Sequence, residues 1–257
     1  MPFAFAAVLI VAAAAGFALL ATRAPRVALP IVLALGLAFP FLADTSDWSS
    51  WFDWAKRYSV VVPVILLAYA YAARARGATG LAWVPRVFPW VLAINVAEAS
   101  ASELQHQHWL NGALLGLAAL TTPRPWSFDG RDGLLGFRDP AWQLVNTLGL
   151  TTMYVLNPVI EDGFFDAISC LWIAQLGALV LRDPQVWFSW RAYTLFVMVI
   201  QDSFVPAFSK HVYPPSFHPE QRSALGGSPL HGLILALTAT ALVYSVVRRY
   251  RARRVAA

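Results

Sequence analysis

Residues 95–112 read NVAEASASELQHQHWLNG, with apolar sequence on both sides. Two glutamates, two histidines and two asparagines fall in this one run, in a chain of 257 residues that is 58% hydrophobic and only 13% charged. Soluble domains carry about 25% charged residues. The runs before and after it approach the roughly twenty apolar residues that a membrane helix needs. The stretch therefore reads as the turn of a helical hairpin, with its polar groups gathered at one membrane surface.

The same reading extends along the chain. Apolar segments at 3–22, 27–43, 56–73, 84–102, 104–121, 140–157, 163–181, 187–207 and 228–247 predict nine spans. The expected fold is all-α, a polytopic transmembrane helical bundle forming one domain over 1–257. Eleven tryptophans and eight tyrosines suit such a protein, since both residue types favour the membrane–water interface.

Charge sets the orientation. With the N-terminus outside, the inner side holds Arg23, Arg26, Arg74, Arg76, Arg86, Arg124, Arg131, Arg138, Arg182, Arg191 and five arginines of the 248–257 tail. Only Lys56, Arg57, Lys210 and Arg222 fall on the other side. Positive residues favour the cytoplasmic face, so the expected topology is N-terminus outside and C-terminus inside, in a bacterial inner membrane. The basic tail reads as an anchor to anionic lipid rather than a nucleic-acid arm.

Three other stretches are not spans. Segment 44–57, with Trp51, Trp54 and then Tyr58 at helical spacing, predicts an interfacial aromatic helix. Its bland role is a belt that fixes tilt. Residues 122–139 predict an irregular cytoplasmic loop. Residues 208–227, interrupted by Pro214, Pro215 and Pro219, predict an outer cap. The lone Cys170 excludes an internal disulfide and is expected buried. No GxxxxGK phosphate loop occurs.

On this topology the polar residues converge on the outer half. Asn95 and Glu98 share a face of the fourth span. His108 and Asn111 share a face of the fifth. Asn157 and Asp162 follow from the sixth, Asp202 from the eighth and His231 from the ninth. Ionisable residues inside a bilayer usually face a bundle interior or a water-filled cavity, so Glu98, Asp202, Asn111, Asn157, Asp162 and Asn95 form an expected solute- or ion-binding pocket. Glu103, Glu161, Glu220 and His218 read as wetted loop residues. His106 and His108, two apart, point in different directions on a helix, and His108 is the one expected to join the cluster.

Three functions fit this pattern. Carboxylate and amide oxygens suit a hard cation, so the favoured one is a transporter of a cation or small solute. The second is an intramembrane enzyme acting on a lipid or isoprenoid, in which His108, His231, Glu98 and Asp202 hold a divalent metal that activates water. No HExxH motif supports it. The third is a non-catalytic membrane subunit or receptor. Expected partners are the lipid bilayer and the solute, with room for a homo-oligomer and none for nucleic acid.

The stretches WFDWAKRYSVVVPV (51–64) and NVAEAS (95–100) resemble parts of an uncharacterised bacterial family of multi-pass membrane proteins. The resemblance implies a membrane fold and no established activity.

Overall fold

The structure, a computed structural model, describes residues 3–42, 51–128, 133–156, 164–204 and 228–256. Within them the chain forms α1 (Phe3–Arg23), α2 (Pro25–Leu42), α3 (Trp51–Arg74), α4 (Val84–Gln105), α5 (Trp109–Leu120), α6 (Pro140–Leu156), α7 (Phe164–Val180), α8 (Val186–Phe204) and α9 (Pro229–Ala256). The one β pairing among the described residues is an isolated bridge between Ser127 and Gly136. The fold is an all-α bundle, with a helix in the place of each expected segment. By length and composition, α9 alone among the described residues is long and apolar enough to cross a membrane, over Pro229–Arg254. Shorter apolar stretches lie in α1, α2, α5 and α7.

Local chemistry explains where several helices start. Pro25 opens α2, a position that needs no N–H donor. Asp139 precedes Pro140, and its Oδ1 accepts the N–H of Trp142 at 3.2 Å, which caps the first turn of α6. The apolar faces then decide the packing. α4 lies against α5, α7 against α8, α9 against α6, and α1 against α8. Trp142, Trp187, Tyr193, Phe39, Phe88 and Phe196 are the largest fully buried side chains. The Trp142 and Trp187 rings meet at right angles, 6.2 Å apart, an edge-to-face arrangement that aromatic quadrupoles favour.

The loop between α5 and α6 packs inward in its described parts. Trp126, Leu134, Leu135 and Phe137 are buried, and Phe137 sits 5.5 Å from Trp142 and 5.9 Å from Trp187. The Leu135 N–H donates to Tyr71 Oη at 2.9 Å, and Tyr71 is itself bonded to Ser189. The loop thus closes one end of the bundle.

Arg249 of α9 fixes that end further. It pairs with Asp139 at 3.2 Å and donates to the Thr121 carbonyl at 2.6 Å, while Ser245 Oγ donates to Asp139 at 2.7 Å. The basic tail therefore begins as part of a helix that is tied to α5 and α6.

The aromatic residues of the expected interfacial segment are helical from Trp51 onward and continuous with α3, and Trp54 and Tyr58 pack on Phe39 at 6.1 and 5.4 Å; residues 44–50 lie outside the described residues. Arg191, counted on the inner side, lies in the second turn of α8 and is buried, because its long side chain runs into the bundle and donates to Asn95 Oδ1 at 3.3 Å.

Candidate functional site

The site is built by the way α4 stops. Gln107 takes φ 65°, the left-handed region that usually falls to glycine. The Gln107 N–H then reaches Leu104 O at 3.1 Å and the His108 N–H reaches Glu103 O at 2.9 Å. These two bonds make a Schellman turn, which satisfies the last carbonyls of the helix. His106 folds back to donate from Nδ1 to Ser102 O at 2.7 Å. The turn leaves His108 at the start of α5, facing the glutamate it has just passed.

Close approach of α4 and α5 completes the placement. Ser100 Oγ donates to the Gly112 carbonyl at 2.7 Å. A Cβ on Gly112 would sit 2.7 Å from the Leu104 side chain, so only glycine fits without a shift. Small residues at such a contact let helix backbones approach.

Glu103 lies at the centre, fully buried at 0% exposure. Asn111 Nδ2 donates to its Oε2 at 2.7 Å and also to the Gly149 carbonyl of α6 at 3.1 Å. His108 Nδ1 lies 3.2 Å from its Oε1. A buried ionised carboxylate costs several kcal/mol unless it is paired and hydrogen-bonded. Here an imidazole and an amide supply those contacts. His231, at the start of α9, is close enough to interact electrostatically with both His108 and Glu103, and its backbone N–H is capped by Ser228 Oγ at 3.2 Å. Asn111 Oδ1 is buried without a hydrogen-bond partner, as are both polar atoms of Asn146, three residues before Gly149 on α6.

The expected residues divide accordingly. His108 and Asn111 meet, with His231 nearby, but the carboxylate they surround is Glu103. The expectation that Glu103 is wetted is corrected, since α4 continues through Gln105 and carries it into the bundle. Asn95 bonds Arg191 instead. Glu98 is half-buried, and its Oε1 is enclosed without a hydrogen-bond partner. Asp202 falls within α8, with its side chain outside the described residues, as are Asn157 and Asp162 altogether. Among the described residues, no three His, Cys, Asp or Glu side chains are grouped to hold a metal. Cys170 is buried as expected, with Sγ 3.1 Å from Thr194 O.

Sequence reasoning missed Glu103, Gly149 and Arg191 as parts of the polar interior. A signal for Glu103 was present. Phe88, Leu92, Val96, Ala99 and Glu103 recur at helical spacing, and all five are buried, so the glutamate continues an apolar stripe.

The polar turn and its flanking helices lie in the part of the chain that has relatives. Residues 3–124 match a family of unknown function (DUF5692). The matched region runs from α1 to just past α5, so it includes Glu103, His108 and Asn111 but neither Gly149 nor His231. The similarity supports the expectation of an uncharacterised family. No curated protein and no solved structure matches the chain.

Proposed function

We propose that the protein is a multi-pass membrane carrier of a cation or small solute, with Glu103 as the group that engages the cargo. The observation that carries this reading is the fully buried Glu103 carboxylate, held by His108 and Asn111 rather than by lysine or arginine. An arginine partner would hold a carboxylate in a fixed bidentate pair. A histidine is a weaker and exchangeable one, because it carries charge only when protonated. An arriving cation can take the place of the His108 ring at Oε1, with Asn111 Oδ1 as a further oxygen ligand.

The membrane setting is part of the same reading. Phe41 and Leu120 are each 85% exposed, and Val180, Leu37 and Ile94 are also largely uncovered. These residues lie on α2, α4, α5 and α7, so apolar side chains face outward around the bundle. Soluble monomers rarely leave large contiguous apolar surface in water. Lipid accounts for such a surface, and the longer apolar helices among the nine described then act as spans, with the arginine-rich end of α9 in the cytoplasm of a bacterial cell.

Ligand-dependent stability tests the site. The purified protein is heated in detergent with sodium, potassium or calcium chloride, one at a time, against a choline chloride control. Binding to the folded state raises the melting temperature in proportion to the logarithm of ligand concentration. At least one of these cations should stabilise the wild type and leave Glu103→Gln unmoved. Equal stabilisation of both proteins, or of neither, counts against Glu103 as the cation site.

A further inference from the structure

A groove of about 670 Å³ runs between α4, α5 and α9, at the end of the bundle opposite Glu103. Its wall is apolar, formed by Ile94 and Ala97 of α4, Leu120 of α5 and Val246 of α9. Its mouth carries Arg124, Arg249 and Arg253. The Asp139 carboxylate holds Arg249 in place. The Arg124 guanidinium lies 3.9 Å from the centre of the Trp90 ring, a cation–π contact that orients it. Arg253 is exposed.

We propose that this groove binds one anionic phospholipid, with the phosphate between Arg124 and Arg253 and an acyl chain along the Ile94–Leu120–Val246 wall. The proposal rests on the membrane reading above and assigns a lipid partner to a face remote from Glu103. Charge complementarity selects the occupant. Three guanidiniums against one carboxylate leave the mouth positive, and planar guanidinium suits phosphate. The apolar wall continues directly from that mouth, so charge and hydrocarbon are offered in the order in which a phospholipid presents them. Basic pockets between membrane helices on the cytoplasmic side bind anionic headgroups by the same logic. A free phosphate would use the arginines and leave the wall uncovered.

The test begins with membranes from cells that make the full chain, washed in alkaline carbonate. Retention in the pellet keeps the membrane reading; release overturns both that reading and the lipid site. The detergent-purified protein is then examined by native mass spectrometry with phosphatidylglycerol, phosphatidylcholine or inorganic phosphate. Phosphatidylglycerol should bind at least about tenfold better than phosphatidylcholine, and inorganic phosphate should not displace it. The preference should fall about tenfold in Arg124→Gln/Arg253→Gln. Arg253→Gln alone, at an exposed position, carries the comparison if the double variant fails to fold. Equal binding of the two lipids, displacement by phosphate, or an unchanged preference in the variants would overturn the lipid site.

Discussion

Asn111 and Glu103 are joined by a short side-chain bond, with Nδ2 donating to Oε2 at 2.7 Å. The same nitrogen reaches the Gly149 carbonyl. One amide therefore ties the end of α4 to the middle of α6 through the first turn of α5. The carboxylate that the reading assigns to the cargo is thus held by the contact that also holds three helices together.

Removing that amide exposes both roles. Asn111→Ala leaves Glu103 Oε2 buried without this donor, a loss of about 2–3 kcal/mol for a bond to a charged group. The melting temperature in detergent should fall by several degrees. Glu103→Gln/Asn111→Ala should recover part of the loss, because an amide is less costly to bury than a carboxylate. Thermal unfolding of the two variants checks this.

Gly112 gives a packing test. Gly112→Ala places a methyl 2.7 Å from the Leu104 side chain, and overpacking costs about 1–3 kcal/mol. The expected result is a lower melting temperature. Gly232→Ala, with open space around its Cβ position, should leave the value close to wild type. Equal effects at the two sites would mean that α4 and α5 do not pack this closely.

Arg191 and Asn95 form a second coupled pair. Arg191 is buried, and its described side-chain bond is to Asn95 Oδ1. Asn95→Leu should destabilise by about 1.5–3 kcal/mol, since it removes a hydrogen-bond acceptor from a buried charged group. Adding Arg191→Met should restore most of that stability. A double-mutant cycle measures the coupling, and additive losses would show that the two residues do not act together.

Helix positions were legible because apolar segments announce themselves by length. The start of α6 was equally readable from Asp139 and Pro140. The carboxylate that meets His108 was not legible because the sequence does not show how α4 ends. Gln107 takes a left-handed conformation without being glycine, so no residue type marked the Schellman turn. That turn, rather than helical spacing, carries His108 onto Glu103. Arg191 fell within the eighth segment and was counted only for the side it marks, with no partner assigned. Its long side chain instead reaches Asn95 on a helix far away in sequence, and such contacts leave no local pattern.

Cargo movement through Glu103 is the central claim, and flux into proteoliposomes tests it most directly. A cation that stabilises the wild-type protein is applied outside vesicles that contain a pH-sensitive dye and a second dye for that cation. Wild-type vesicles should take the cation up, and the pH-sensitive dye shows whether protons move with it. Glu103→Gln vesicles, with equal protein incorporated and folded, should be as silent as empty liposomes. Uptake by Glu103→Gln at the wild-type rate would contradict the account.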